Sequence, residues 1–193
     1  MSNSIINTPN NVPIVHESAA LHVTGRAVYV DDMPLPSNSV HIALGLSHVS
    51  HGNLNSIVVD EALLAPGVRA VLSAADIPGQ NDCSPVMGDD PIFAEDKVMY
   101  NGQAVFAVVA YSRAAARNAV ELVKVDITTL PAVINIEQAI KQRSFLENPM
   151  CLTVGEPQAE YDSSLTQIDG ELVVGGQEHF YLEGQAAIAQ PLE

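Results

Sequence analysis

Only two of the 193 residues are cysteine, and none is tryptophan. Two thiols, Cys83 and Cys151, fall short of the four thiolates of an iron–sulfur cluster or a Cys-only zinc site, so any such centre must come from elsewhere. A disulfide is open on count alone. The polar start MSNSIINTPNN, however, has neither the basic opening nor the apolar core of a secretory signal, so the expectation is a reducing cytoplasm and two free thiols. Positive charge is also scarce. Eight Lys and Arg stand against 23 Asp and Glu, for a net charge of -15, and such a field repels phosphate backbones and anionic membranes. Nucleic acid and membrane are therefore not expected as partners. Long apolar runs are missing as well: the longest, from Ala104 to Tyr111, is far below the roughly 20 residues of a spanning helix. There is no GxGxxG, no P-loop and no GxSxG, so nothing points to dinucleotide binding, nucleoside triphosphate binding or serine hydrolysis.

What is present is a chain that is 47 % hydrophobic and near the length of one domain, enough to bury a core. Residues up to about Val15, rich in Asn and Pro, read as a flexible arm. From Val40, HIALGLSHV and then NLNSIVVD predict two strands paired around a turn at His51-Gly52. Asp60 caps a short helix, EALLA, that Pro66-Gly67 ends. Val68 to Leu72 is a further strand, followed by a helical turn at Ala74 to Asp76. Asn81, Asp82, Pro85, Gly88, Asp89, Asp90 and Pro91 mark a loop longer than ordinary connections, which suggests an interface or a function. Gln103 to Ala110 is a continuous apolar run and hence a buried strand. Ser112 caps a helix to about Val123, with Ala115, Ala119, Leu122 and Val123 on one face and Arg113, Arg117 and Glu121 on the other. Val125 to Thr129 predicts a strand and Ile136 to Gln142 a short helix. The alternation of strands and helices joined by hairpins gives an α+β class.

Few constellations suggest chemistry. His48 and His51 are three apart at a strand end, where such side chains diverge, so a turn is favoured over a metal site. Asp31 and Asp32 before Pro34 read as turn chemistry. Asp89 and Asp90 have no neighbouring His or Arg and read as a solvated loop instead of an acid–base pair. Gly175 to Glu183, GGQEHFYLE, places the neutral amide Gln177 in an apolar, aromatic segment. By spacing alone, Gln177, Glu178 and His179 are the polar face of a half-exposed strand.

The order of words along the chain says more. HESAALHVTGRAVYVDDMPLP (His16 to Pro36), SHG (Ser50 to Gly52), PGVRAVLSAADIPGQNDCSP (Pro66 to Pro85), DDPIFA (Asp89 to Ala94), GQAVFAVVA (Gly102 to Ala110), LPAVINIEQAI (Leu130 to Ile140) and GGQEHFYLEGQ together resemble the xanthine dehydrogenase and aldehyde oxidase family. The resemblance is greatest to the molybdopterin-binding subunits of its bacterial members. It implies an α/β-hammerhead domain of mixed strands and helices over residues 16–143, after an arm at 1–15. A linker at 144–169 and the first strands of a molybdopterin-binding domain at 170–193, cut off from their neighbours, would follow. Those strands are expected over Glu171 to Glu183 and Ala186 to Ala189, leaving an unpaired apolar edge.

The same resemblance implies the chemistry. The family oxidises a heteroaromatic C–H with water as the oxygen source, here a purine such as hypoxanthine or xanthine. The cofactor is molybdenum-molybdopterin, and electrons leave through iron–sulfur clusters and FAD of a partner subunit to NAD. Gln177 is the residue carried over to the cofactor, as a hydrogen-bond partner of a molybdenum oxo group and not a ligand of the metal; a carboxamide does this without changing the site's charge. Phe180 is expected to pack that strand at the cofactor. Glu183 ends the motif and is not, by resemblance, the general base, which lies further C-terminal. The remainder of the subunit is thus an implied partner, and the catalytic set is incomplete in these residues. Two alternatives stay open: an aldehyde oxidase-type hydroxylase subunit, and a non-catalytic assembly or scaffold domain.

Overall fold

The computed structural model describes residues 15–148, 150–181 and 184–191. They fall into two compact units, one of Ser37–Gln167 and one formed by the residues up to Pro36 with those from Ile168 onward.

The larger unit holds two three-stranded antiparallel sheets. In the first, β5 (Ala104–Ala110) lies between β1 (His41–Leu46) and β3 (Val68–Leu72); in the second, β2 (Gly52–Val58) lies between β4 (Lys97–Val98) and β6 (Lys124–Thr129). The expected pairing of the first two strands around His51-Gly52 is not what forms, because β1 and β2 belong to different sheets. The reason lies in the connection between them. The Ser47 N–H donates to the Gln103 carbonyl at 2.8 Å and the Ser47 carbonyl accepts from the Gly102 N–H at 2.8 Å. The Ser47 hydroxyl donates to the Val49 carbonyl and accepts from the Val49 N–H. With Ser47 tied to the turn before β5, the chain leaves β1 for the second sheet, where β2 is paired on both sides by β4 and β6.

β5 is the central strand of its sheet, as its unbroken apolar run requires. Val105, Phe106 and Val108 join Ala62, Ala94, Val98 and Ala119 in one core, against which Leu54, Ile57, Val68, Val71, Val125 and Ile127 pack, so both sheets contribute to it. Irregularities in the ladders make this possible. Leu54 pairs with Ile127 and Ile57 with Val125, with a register shift between Leu54 and Ser56. The extra residue, Asn55, turns two apolar side chains three apart onto one face, while its amide donates to Asp126 Oδ2 at 3.0 Å and Thr128 Oγ1 at 2.9 Å. A second shift, between Val68 and Ala70, does the same for Val68 and Val71 on β3.

α2 (Asp60–Leu63) and α3 (Arg113–Val120) supply the helical side of the core through Ala62, Ala116 and Ala119. The Ser112 hydroxyl accepts from the Ala115 N–H at 3.1 Å and caps α3 as expected. The buried stripe is centred on Ala116 and Ala119, one residue on from the expected Ala115, and the last turn stops at Val120. α4 (Ile136–Gln142) is capped by Asn135 and ends at Arg143 in the left-handed region, φ 55°. α5 (Pro157–Ser163) forms inside the stretch read as a linker, with proline in its first turn and Gln158 donating to Asp162 one turn on.

In the smaller unit, α1 (Ala19–Val23) is a single turn closed by Thr24, whose hydroxyl donates to the Ala20 carbonyl at 2.6 Å. Residues 171–181 and 184–191 form neither helix nor strand. The strands expected there do not form among the described residues: a strand needs a neighbour for its N–H and C=O groups, and none of the described strands pairs with this stretch. The arm expected at 1–15 lies almost wholly outside the described residues.

Candidate functional site

Gln177 sits in the irregular C-terminal stretch, exposed, with its carboxamide free of any hydrogen bond among the described residues. Three residues on, the chain turns: the Phe180 N–H donates to Glu178 Oε1 at 3.2 Å, and Phe180 is left-handed at φ 50°. That conformation is uncommon for a bulky residue and interrupts any strand through 177–180. Phe180 is 85 % exposed, so its ring is largely open among the described residues. Tyr181 Oη accepts from the Gln185 amide at 2.6 Å. Glu183 lies outside the described residues.

A neutral, unengaged carboxamide is the right kind of group to touch an oxygen of a molybdenum centre: it donates an N–H and adds no charge. The metal itself would find no ligands beside it. Among the described residues no three His, Cys, Asp or Glu side chains gather closely enough to hold a metal ion. What this stretch offers among the described residues is one exposed, unengaged carboxamide and no set of metal ligands.

The other candidates are placed in structural roles. His51 Nδ1 is 2.7 Å from the Pro131 carbonyl, tying the start of β2 to the end of β6, and the His48 carbonyl accepts from the Asn101 amide at 3.0 Å. Val30–Asp32 is a 3-10 turn in which Asp32 Oδ2 accepts from the Tyr29 N–H at 3.1 Å, which is the turn chemistry expected for that pair. In the long loop, Asn81 grips Phe93 on both sides: its carbonyl accepts from the Phe93 N–H at 3.1 Å and its amide donates to the Phe93 carbonyl at 2.9 Å. Asp82 Oδ1 accepts from the N–H groups of Ser84 and Asp90, and Asp90 returns its carbonyl to the Cys83 N–H and thiol. The loop is therefore a self-bonded structure organised by Asn81 and Asp82, whereas the sequence drew attention to Asp89 and Asp90; the preference of Asn and Asp side chains for nearby backbone N–H groups was the available signal. Partial desolvation in this loop, and then the negative charges of Asp90 and Asp82, raise the Cys83 thiol pKa. Both cysteines are free and exposed.

A shallow depression in the smaller unit is lined by Ser18, Leu21, His22, Tyr29 and Met33 among others. Tyr29 Oη and His22 Nδ1 are 3.0 Å apart across it. No described helix is long and apolar enough to cross a membrane.

The chain is 41 % identical over 184 residues to a xanthine dehydrogenase of Oryza sativa, covering 94 % of this chain and 13 % of that protein. It is 40 % identical to a xanthine dehydrogenase of Dictyostelium discoideum over 96 % of this chain and 14 % of the relative. Among solved structures, the aldehyde oxidoreductase of Desulfovibrio gigas superposes with a TM-score of 0.59 at 35 % identity, over 64 % of this chain and 15 % of that one. The chain therefore spans about a seventh of the length of the relatives it matches. The profile described as "Aldehyde oxidase and xanthine dehydrogenase, a/b hammerhead domain" matches residues 24–131, more than half of the chain. With this match and the α+β architecture in hand, the chain belongs to the aldehyde oxidase and xanthine dehydrogenase family, as a bearer of its hammerhead domain.

Proposed function

We infer that this chain is the N-terminal part of the molybdopterin-binding subunit of a molybdenum hydroxylase that oxidises purines, hypoxanthine and xanthine to urate, with electrons passing to an iron–sulfur and FAD partner and on to NAD. The observation that carries this reading is identity of 41 % sustained over 94 % of the chain with a xanthine dehydrogenase. On this reading residues 16–143 are the hammerhead domain, 144–169 the linker and 170–193 the entry to the cofactor-binding domain. The molybdenum-molybdopterin group, when bound, supplies the oxygen-transfer and two-electron chemistry. This chain's contribution is the carboxamide of Gln177, which donates a hydrogen bond to the cofactor and helps fix its orientation, with Phe180 packed beside it. The open, unpaired state of 171–181 is consistent with a segment that becomes a strand only on joining its neighbours.

A second reading, aldehyde oxidation, is favoured by the likeness to an aldehyde oxidoreductase structure. The enzyme that contains this chain, assayed with xanthine and with an aromatic aldehyde, decides between them. A higher kcat/KM for xanthine, with urate as product, is the expected result; turnover of the aldehyde alone would replace the purine reading. In the same enzyme, Gln177→Ala is expected to lower turnover per bound molybdenum by about 10- to 100-fold with metal content kept, as outer contacts at metal sites do. Unchanged turnover per molybdenum would remove Gln177 from the site.

A further inference from the structure

The chain contains a single Asn-Gly pair, Asn101-Gly102. It occupies the two central positions of the turn from Tyr100 to Gln103, where the Gln103 N–H donates to the Tyr100 carbonyl at 3.3 Å just ahead of β5. Gly102 has φ 90°, the left-handed value that the third position of a type II turn requires, so the turn itself accounts for the glycine. The pair also has a chemistry of its own. With no Cβ on the second residue, its backbone nitrogen reaches the asparagine carboxamide carbon with little hindrance. The nitrogen gives up its proton and attacks Cγ, the Cγ–Nδ2 bond breaks, and the amide leaves with a proton as ammonia, closing a five-membered succinimide. Water then opens the ring to aspartate or isoaspartate. Water enters, ammonia departs, and nothing is oxidised or reduced.

The fold holds both reacting groups. The Gly102 N–H, the nucleophile, donates to the Ser47 carbonyl at 2.8 Å, and the Asn101 amide, the leaving group, donates to the His48 carbonyl at 3.0 Å. Those two adjacent carbonyls are set in place by the Ser47 hydroxyl, which bonds the N–H and the carbonyl of Val49. Asn101 is exposed and a Cβ built on Gly102 would meet nothing within 4 Å, so water has access to the pair.

We propose that Asn101 is a deamidation site gated by the Ser47 to Val49 turn: while the Ser47 and His48 carbonyls hold Gly102 and Asn101 the amide is kept, and when this joint opens locally the amide is lost. The conversion does not reverse on closing. An aspartate carboxylate has no N–H to offer the His48 carbonyl, and isoaspartate adds a methylene to the backbone that displaces Gly102 from Ser47. Either product weakens the link between the exit of β1 and the turn before β5.

The test follows the peptide that contains residue 101 in the full chain, kept at mildly alkaline pH in buffer and in urea, by mass and by chromatographic separation of the aspartate and isoaspartate forms. In urea Asn101 is expected to convert fastest of the asparagines. In buffer its rate is expected to fall on the order of tenfold or more, tracking the population of locally open chain. Equal rates in the two conditions would overturn the gate, and an Asn101 no faster in urea than Asn53 or Asn118 would overturn the site. Ser47→Ala, with its fold checked by circular dichroism, is expected to raise the rate in buffer about fivefold, the effect of one lost hydrogen bond, and to leave the rate in urea unchanged. A parental rate in buffer would refute Ser47 as the gate. Asn101→Asp is expected to unfold at lower urea than the parent, and an equal midpoint would refute the weakened joint.

Discussion

The ring of Phe106 lies where a side chain on residue 45 would begin: a Cβ built on Gly45 falls 2.0 Å from the Phe106 Cζ. The two residues are cross-strand partners in the β1–β5 pair, and Phe106 is only 3 % exposed. The glycine is thus required by packing and not by a special backbone angle, because its empty face is the floor on which the ring rests. Gly45→Ala is expected to destabilise the domain by about 1–3 kcal/mol or more, the range of overpacking in a closed core. Combined with Phe106→Ala, itself expected to cost about 3–5 kcal/mol, the alanine at 45 is expected to add little further loss. Urea unfolding of the two single variants and the double variant measures this coupling; strictly additive losses would show that the ring and the glycine do not share their space.

Gln103 makes a second testable point about the joint between the sheets. It is buried, its Oε1 accepts from the Met99 N–H at 2.7 Å, and its carbonyl accepts from Ser47. Gln103→Leu keeps the volume but leaves the Met99 N–H without its partner, so a loss of about 1–3 kcal/mol is expected. Gln103→Glu supplies an acceptor but places a charge in the core, so its stability is expected to improve at lower pH as the carboxyl protonates. Chemical unfolding of both variants at two pH values checks the pair, and a Gln103→Leu protein as stable as the parent would show that the Met99 N–H finds water instead.

The Cys83 thiol is held above its ordinary pKa by desolvation first and then by the charges of Asp90 and Asp82. Only the thiolate is a nucleophile, so Cys83 is expected to alkylate slowly near neutral pH. Asp90→Asn removes one of the opposing charges while keeping the backbone carbonyl that accepts from the thiol. The pH midpoint of Cys83 alkylation, followed by peptide mass mapping, is expected to move down. A midpoint that stays put would mean that the Asp90 charge is screened at this exposed loop.

These relationships differ in how far the sequence exposed them. β5 was legible because an unbroken apolar run has few other meanings, and α3 because Ser112 offers a cap ahead of an amphipathic stripe. The partner of β1 was not. Proximity in sequence favoured a hairpin with β2, whereas the outcome was decided by Ser47 bonding to the Gly102–Gln103 turn more than fifty residues away. α5 is not legible because PQAEYDS has no apolar stripe and buries no residue. Gln177 was singled out by resemblance to a family, since nothing in the spacing of GGQEHFYLE separates a cofactor contact from the polar face of a strand.

The last prediction concerns what this chain does alone. Its described residues gather no three potential metal ligands, and Gln177 stands exposed in a stretch without helix or strand. A single carboxamide contact is far weaker than a ligand set, and cofactor affinity in such sites comes from many groups converging on one rigid frame. The purified 193-residue chain is therefore expected to carry no stoichiometric molybdenum and to convert no xanthine, while folding cooperatively through the Phe106 core. Metal analysis by mass spectrometry, an assay for urate and a thermal unfolding scan on one preparation measure all three. About one molybdenum per folded chain would show that these 193 residues hold the cofactor unaided.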